Sequence, residues 1–296
     1  MKVDLHVHSK DGSDGKFSVD EIFAEANKRK IDVISITDHD SIECQQRAME
    51  LALEYGIDYL SGVELNISFS HPGYRDSKPA SLDLLGYGFD IGNSALLKKL
   101  EQLKAYRKKR AEQILERLNL ELEKRKIPIF THKDLKAIEE TVDGAFGRPH
   151  IANYLIKKRI VSDKQEAFDK YLVRCNVPKM PVSLEEAASL IRDAGGKIFI
   201  AHPANPRGTS LASFTPSIKG QHRIIKEGMI AYLDGVECWH SSHSRQVTSS
   251  YLSFARKEGL MASGGSDCHQ QPVIMGTLPI PRFVAEQFGI KPKEGE

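Results

Sequence analysis

The chain has 296 residues, enough for one large α/β domain or for a domain of about 200 residues that carries an insertion of about 100. Its 42 basic and 40 acidic residues give a formal net charge of +2, so charge alone implies neither a nucleic-acid nor a membrane partner. The four cysteines form no CxxC pair, which favours reduced thiols over a disulfide framework. With no leader-like start and no apolar run of about 18 residues, the sequence predicts a cytoplasmic protein without a membrane partner.

The first 90 residues alternate short apolar runs with helical patterns, as is typical of parallel strands joined by crossover helices. Strands are predicted at residues 2–7, 32–37, 59–64 and 82–87, with helices at 19–29 and 42–55. A capping box of Ser18 and Glu21 begins the first helix, and Gly56 suits a left-handed residue at the end of the second. Cap and turn signals therefore agree with the apolar periodicity.

A charged helical segment follows the fourth strand. Apolar residues recur at helical spacing from residue 94 to residue 126, which predicts one long helix or a helical pair. The segment has an excess of six positive charges, which indicates either a solvated helix face or an electrostatic guide for a phosphorylated substrate. Because helical patterns continue to about residue 172, residues 95–180 are predicted to be an all-helical insertion domain, and residues 1–94 and 181–296 the main domain.

The α/β pattern resumes in the last third of the chain. Ser183 and Glu186 form another capping-box start, and strands are predicted at residues 197–201, 234–239 and 260–263, with a helix at 246–258. Seven predicted strands, with polar residues at the ends of many of them, favour a barrel over an open sheet, in which such residues would cluster at one switch point.

Three early segments carry candidate metal ligands at strand ends. His6 and His8 point to the same face of a strand and can chelate one ion, although such a pair also occurs for structural reasons. Asp14 follows in the first loop. His39 lies between two carboxylates after the second strand, where Asp38 can orient it, unless this segment is only a helix N-cap. Glu64 ends the third strand, and burying a carboxylate there is costly unless it is paired or binds a metal.

Two later strands end in the same way. His202 closes an apolar strand, and Asp267 and His269 follow another after a Gly-Gly-Ser turn. Nitrogen and oxygen ligands without thiolates favour zinc, iron or manganese and disfavour a structural zinc cluster. The joint pattern therefore predicts a site for divalent metal ions at the C-terminal ends of the strands.

The order of these motifs, HxH, SDG, TDHD, GVE, AHP and GSDCH, resembles the PHP (polymerase and histidinol phosphatase) superfamily, from His6 to His269. The segment Gly147-Arg148-Pro149-His150 and the strand that leads to Leu85-Gly86-Tyr87-Gly88 resemble its branch of small phosphoesterases that act on nucleotides and on 5′ ends of short nucleic acids. The resemblance implies a distorted seven-stranded (βα)7 barrel with three metal ions.

Matched position by position, the resemblance implies three ligand sets: His6, His8, Glu64 and Asp267 for one ion, Glu64, Asp83 and His202 for a second, and Asp14, His39 and His269 for a third. The chain departs from the family at Asp83, where a histidine is usual. A carboxylate there shifts the preference toward manganese or magnesium. His71, in a nearby loop, is the alternative ligand.

The chemistry implied by the resemblance is hydrolysis of a phosphomonoester or phosphodiester by a metal-activated water. The implied substrate is a nucleotide, a 3′,5′-bisphosphonucleotide or the 5′ end of a short oligonucleotide, with no obligate protein partner. Arg148 and His150 are candidates for binding a second phosphate, although Arg148 also suits a plain helix start. His240 and His243 are candidates for contacting the scissile phosphate or protonating the leaving group, and Asp38 is a candidate catalytic carboxylate.

Two alternative functions stay open at this stage. A histidinol-phosphate phosphatase would use the same metal chemistry, but the GRPH segment and the helical insertion speak against it. A catalytically silent PHP module used for binding has no need of buried, mutually repelling acids, which argues against that alternative.

Overall fold

The computed structural model describes residues 1–139 and 148–291. The chain divides into two compact units, which we call the α/β unit (Met1–Lys98 and Pro181–Glu296) and the helical unit (Lys99–Met180). Gly147 of the GRPH segment lies outside the described residues. None of the described helices is long and apolar enough to cross a membrane.

The first sheet of the α/β unit has three parallel strands in the order β1-β2-β3. They are β1 (Val3–Val7), β2 (Val33–Ile36) and β3 (Asp58–Tyr59), joined by helices α1 (Val19–Lys28) and α2 (Gln45–Tyr55). The predicted capping box of Ser18 and Glu21 is present at the start of α1, and Gly56 ends α2 with φ of 64°. Cap chemistry therefore fixed both helix boundaries that the sequence indicated.

The second sheet has five strands in the order β4-β5-β6-β7-β8. They are β4 (Gly62–Phe69), β5 (Ala80–Tyr87), β6 (Lys197–Ile200), β7 (Gly235–His240) and β8 (Met261–Gly265). The helices among and after them are α7 (Leu184–Asp193), α8 (Ile218–Gly228), α9 (Arg245–Glu258) and α10 (Phe283–Glu286). Strand β5 runs antiparallel to both β4 and β6, whereas β6, β7 and β8 are parallel.

Two details of the predicted strands were wrong. The strand predicted at residues 59–64 is divided between β3 and β4, and β4 and β5 form an antiparallel pair because the link between them is too short for a crossover helix. The eight strands form two sheets rather than one closed seven-stranded barrel. In the described part of the chain, isolated bridges from Val7 to Cys268 and from His39 to Glu64 connect the segments at the two seams. The α/β class is confirmed.

Strand β1 is buried on both faces, which places polar side chains inside the α/β unit. Val7 packs with α1 and α2 in an apolar core, and the alternating period of a strand turns Asp4 and His6 the other way. Asp4 accepts hydrogen bonds from the backbone of Ser266 and Gly276, both at 2.8 Å, so this buried acid is satisfied. His6 is left to face the other strands.

The helical unit contains most of α3 (Ser94–Glu123) and the shorter helices α4 (His132–Glu139), α5 (Arg148–Lys157) and α6 (Lys164–Ala167). Its core contains Leu118 and Leu122 of α3, as their helical spacing predicted. The excess positive charge of α3 is partly structural, because the buried Arg110 donates from Nε to the carbonyl of Val177 at 2.6 Å.

Candidate metal centre

Every predicted metal ligand lies in the α/β unit, on a strand or in the loop that follows it. They are His6 on β1, His8 and Asp14 after β1, His39 after β2, Glu64 on β4, Asp83 on β5, His202 after β6, and Asp267 and His269 after β8. All nine fall into overlapping groups, in each of which the potential ligand atoms lie within 4.8 Å of one another.

Four of these side chains converge on one point. His6 Nε2 and His8 Nε2 lie 3.1 Å apart, and Glu64 Oε2 lies 3.3 Å from His6 Nε2 and 3.2 Å from His8 Nε2. Asp267 Oδ1 lies 3.4 Å and 3.3 Å from the same two nitrogens. Both carboxylate oxygens thus lie within 3.4 Å of both imidazole nitrogens.

The separations between these donors suit metal ligands. Neighbouring ligands that lie about 2.0 Å from one zinc ion are about 3.3 Å apart in tetrahedral geometry, and the separations here are 3.1 to 3.4 Å. Facing lone pairs of two imidazoles and two carboxylates repel one another unless a cation or protons lie between them. The donor set therefore suits a divalent ion.

Glu64 links this group to its neighbours. Its second oxygen, Oε1, lies 2.9 Å from His202 Nε2, and Oε2 also lies 3.2 Å from His39 Nδ1. Burial acts to raise the pKa of Glu64, but the positive imidazoles of His39 and His6 hold it well below its usual range. A buried carboxylate in contact with several imidazoles is the arrangement expected of a bridging ligand.

The backbone holds these ligands in unusual conformations. The amide of Asp40 donates to the carbonyl of Glu64 at 2.8 Å, and the amide of Glu64 donates to Asp38 at 3.1 Å, so His39 is fixed against Glu64. Asp40, His202 and Asp267 have positive φ values of 45°, 25° and 56°. Non-glycine residues pay strain for such values, and strain of this kind concentrates at functional sites.

Asp14, His39 and His269 form a second group of potential ligands, which we call the Asp14 corner. Asp14 Oδ1 lies 3.2 Å from His269 Nε2 and 3.8 Å from His39 Nε2. The His8 and His269 rings stack with centroids 4.0 Å apart. Burial opposes ionisation of Asp14, yet the imidazoles around it lower its pKa. These side chains are half-exposed, so this corner is open to a ligand.

Asp83 lies close to the centre but is held by a neighbour across the β4–β5 pair. Its Oδ1 accepts a hydrogen bond from Asn66 Nδ2 at 2.6 Å, and its Oδ2 lies 3.9 Å from His202 Nε2. Burial and the charge of Glu64 raise the pKa of Asp83 to about 6. The alternative ligand, His71, instead pairs with Glu227 at 3.4 Å and belongs to none of the groups found among the described residues.

His240 and His243 lie beside the centre with different bonding. His240 Nε2 is 3.1 Å from Asp267 Oδ2, and its Nδ1 accepts from the amide of Ser242 at 3.0 Å. His243 Nδ1 lies 3.0 Å from the carbonyl of Cys238, which only an N–H can satisfy. Burial lowers the pKa of His243 to about 4, so near neutral pH its single proton is on Nδ1 and its Nε2 has none to donate. This bonding favours a structural role for His243, and its proposed contact with substrate stays a prediction.

Asp38 points into the first loop rather than toward the ligands. Its carboxylate accepts from the Ser9 amide at 2.7 Å, from Ser9 Oγ at 2.6 Å and from Ser13 Oγ at 2.6 Å. Ser13 Oγ also lies 3.3 Å from His8 Nδ1. These contacts give Asp38 a structural role, in which its carboxylate fixes the loop behind His8, and its catalytic role stays a prediction.

Glu237 was missed by the sequence analysis. It is completely buried on β7, where its Oε1 lies 2.9 Å from His6 Nδ1 and its Oε2 accepts from the His202 amide at 2.6 Å. A carboxylate on Nδ1 places the proton there and leaves Nε2 of His6 free to face the convergence point. The only sequence signal was an acid inside the apolar run Val236-Glu237-Cys238.

The candidate phosphate-binding residues belong to the helical unit. Arg148 begins α5, donates to the carbonyl of Leu172 at 3.2 Å, and lies over the Phe168 ring at 5.5 Å. These contacts give Arg148 a structural role inside the helical unit. A substrate-binding role for Arg148 and His150 stays a prediction.

Clustered imidazoles and carboxylates at the ends of α/β strands define a metal-dependent hydrolase. The PHP domain model matches residues 4–173, and the chain belongs to the PHP domain family. It is 29% identical over 280 residues to a 3′,5′-nucleoside bisphosphate phosphatase of Chromobacterium violaceum, covering 90% of this chain and 87% of that protein. It is 30% identical over 278 residues to a 5′-3′ exoribonuclease of Haemophilus influenzae, covering 90% of each.

Solved structures agree with the family assignment. A structure described as an amidohydrolase from Chromobacterium violaceum with bound sulfate superposes with a TM-score of 0.74 at 26% identity, covering 99% of both chains. Family, relatives and clustered ligands together identify the chain as a metal-dependent phosphoesterase. A catalytically silent binding module is therefore no longer a candidate.

Proposed function

We propose that the protein hydrolyses phosphoesters of a nucleotide, a 3′,5′-bisphosphonucleotide or the 5′ end of a short oligonucleotide. The observation that carries this proposal is the convergence of His6, His8, Glu64 and Asp267 in a chain of which 90% aligns with enzymes named for such substrates. No feature of the described residues favours histidinol phosphate over a nucleotide.

We propose three ions, held by the sets that the sequence predicted, with Glu64 shared between two of them. The close approach of His6, His8, Glu64 and Asp267 supports the first, His202 and Asp83 around Glu64 Oε1 support the second, and the Asp14 corner supports the third. When bound, divalent ions would lower the pKa of a water and neutralise charge on the phosphoryl oxygens. Manganese, iron and zinc fit the mixed donors, and the carboxylate of Asp83 makes magnesium acceptable at the second position.

The chain's own residues set the geometry of this reaction. Glu237 orients His6, and His240 donates from Nε2 to Asp267 Oδ2, which holds the other Asp267 oxygen toward His6 and His8. His240 also remains the candidate to contact the scissile phosphate, because its Nε2 lies 3.1 Å from the predicted ligand Asp267. The half-exposed Asp14, His39 and His269 mark where substrate enters.

We also propose that the enzyme works in the cytoplasm and that residues 95–180 are an insertion domain. All four cysteines are buried free thiols, which suits a reducing compartment. The compact helical unit supports the second proposal.

The test is metal analysis followed by phosphate release from a substrate panel. We expect bound divalent metal, and manganese-supplemented turnover of a 3′,5′-bisphosphonucleotide or a 5′-phosphorylated oligonucleotide above that of histidinol phosphate. Metal-loaded protein that releases phosphate from none of them would refute the proposal, and a preference for histidinol phosphate would replace it.

A further inference from the structure

A charged groove of about 980 Å³ lies between α8 and α9. Its basic lining residues are Lys219, Arg223 and Lys226 of α8 and Arg245 and Lys257 of α9. The α8 cations are spaced at i, i+4 and i+7, so one face of this helix presents all three. Only two acids, Glu227 and Glu258, line the same groove.

Both acids are already engaged. Glu258 pairs with Lys226 at 3.3 Å, and Glu227 pairs with His71 at 3.4 Å. The other four cations make no ion pair with any residue in the described part of the chain. Like charges on facing helices repel one another, so the groove is arranged to accept an anion with several charges.

Uncharged groups in the groove suit a nucleotide chain. Gln246, Ser249 and Ser253 lie on one face of α9 and add neutral donors, which commonly contact phosphate and sugar oxygens. The rings of His222 and Phe254 also line the groove and stack at 4.3 Å with an interplanar angle of 16°. Phe254 is buried, so this stacked pair forms the floor of the groove, and the partly exposed His222 is the ring that a nucleobase could contact.

The groove starts at the edge of the sheet that carries the metal centre. β7 ends at His240 and α9 begins at Arg245, whereas α8 follows the loop after His202. The N-terminal ends of both helices therefore lie at that edge, and α9, with 14 residues, is about 20 Å long. At about 3.4 Å per nucleotide of a stacked strand, this length spans about six nucleotides.

Aromatic contacts connect the centre to the groove. The His240 and His243 rings are 5.4 Å apart, His243 stacks on Tyr251 at 6.0 Å, and Tyr251 meets His222 edge-on at 4.8 Å. His243 and Tyr251 thus connect the metal centre to the floor of the groove through a continuous series of packed rings.

We propose that this groove binds the phosphodiester backbone of a single-stranded oligonucleotide whose 5′ end occupies the metal centre. The inference rests on the proposed function and extends it, since it makes oligonucleotides preferred over mononucleotides. An anionic membrane surface is the rival ligand, but a concave groove between two helices fits a flexible strand better than a flat bilayer.

The test compares two matched double variants. Lys219→Gln/Lys257→Gln removes two groove cations, and Lys30→Gln/Lys197→Gln removes two exposed lysines near the starts of β2 and β6, at the opposite edge of the sheets. The measured quantity is the KM for a 5′-phosphorylated decaribonucleotide divided by the KM for a 3′,5′-bisphosphonucleotide. We expect this ratio to rise about tenfold in the groove variant and to stay unchanged in the control.

Salt dependence gives a second readout. Each phosphate contact contributes about 0.7 to the slope of log affinity against log salt for a single strand, so the groove variant should lose about 1.4 from the slope of kcat/KM for the decamer. Turnover of both substrates with equal KM ratios in the two variants would overturn the groove inference and leave the proposed function intact. The membrane alternative is tested by sedimentation with phosphatidylserine vesicles. If the unchanged protein and the control variant bind the vesicles, the groove variant does not, and the KM for the decamer is the same in all three, the groove binds a membrane and the inference is overturned.

Discussion

At the scale of single residues, the centre depends on carboxylates that fix imidazoles. Glu64 contacts four of them, and Glu237 binds the far nitrogen of His6 at 2.9 Å while holding the backbone of His202. Ligand orientation by such outer partners strongly affects metal affinity. The buried charge of Glu237 is therefore part of the metal site, although it is not itself a predicted ligand.

Glu237→Gln is expected to weaken divalent metal binding about 10- to 100-fold, because the amide keeps the volume but loses the charge that holds the proton on His6 Nδ1. The measurement is competition against a chromophoric chelator. The control is Glu25→Gln, which removes an ion pair with Arg29 in α1 and should leave metal affinity unchanged. Equal affinity in both variants would contradict the role of Glu237.

The imidazoles of the centre carry protons when metal is removed. Burial opposes charge on both side chains, but Asp267 and Glu64 raise the pKa of His8 to about 10, and Glu64 raises the pKa of His202 to about 9. A histidine whose pKa is higher in the folded protein than its unfolded value of 6.5 stabilises the fold when it is protonated. This contribution to the unfolding free energy is fully present below pH 6.5 and is lost as the pH rises to the folded-state pKa.

Chelated protein is therefore expected to lose stability as pH rises from about 7 to about 10, as followed by the urea midpoint. Metal-loaded protein should lose less over this range, since the ion replaces those protons. Addition of metal at pH 7 should also release protons into an unbuffered solution. A urea midpoint that rises with pH in the chelated protein would show that these imidazoles are neutral.

At the scale of elements, close approach between strands decides the site. A Cβ on Gly265 of β8 would lie 2.2 Å from both the backbone nitrogen and the Cβ of His6 on β1. Only glycine allows β1 and β8 to come together here, which brings Asp267 under His6, with its amide donating to the His6 carbonyl at 2.8 Å.

Gly265→Ala is expected to cost about 1 to 3 kcal/mol in unfolding free energy and to reduce bound metal, because the His6 backbone has to move. The control is Gly259→Ala at the end of α9, where a Cβ meets nothing within 4 Å and φ is 72°. That change should cost about 1 to 2 kcal/mol through strain alone and keep full metal content. Full metal content in Gly265→Ala would contradict this account of the strand contact.

Elements set by local chemistry were predictable, and those set by distant contacts were not. The capping box at Ser18 and the left-handed Gly56 depend on neighbouring residues and were confirmed. The role of Glu237 depends on His6, 231 positions away, and the loop-holding role of Asp38 depends on Ser9, 29 positions away. The periodicity of a sequence carries no information about such distant pairs. The antiparallel β4–β5 pair was not predicted, because the preceding alternation of strands and helices indicated a parallel sheet.

At the scale of the whole molecule, the family resemblance predicted which residues are ligands, and the structure shows that these residues lie close together. Residues from both ends of the sequence, His6 and Asp267, meet in the α/β unit. Bound metal therefore ties the chain ends together and should stabilise the fold by about 4 kcal/mol when free metal exceeds its dissociation constant 1,000-fold. Thermal melting with and without chelator measures this, and equal midpoints would mean that metal does not bind the folded protein.

The most direct test of the central claim is phosphate release from a 3′,5′-bisphosphonucleotide by the same protein sample as purified, after chelation, and after manganese is returned. We expect release in the first state, loss of about nine-tenths or more of the rate after chelation, and recovery with manganese. We also expect that Glu64→Gln shows no recovery, because Glu64 is shared by two of the proposed ions. Release that is unaffected by chelation, or that Glu64→Gln retains in full, would contradict a metal-dependent phosphoesterase centred on these residues.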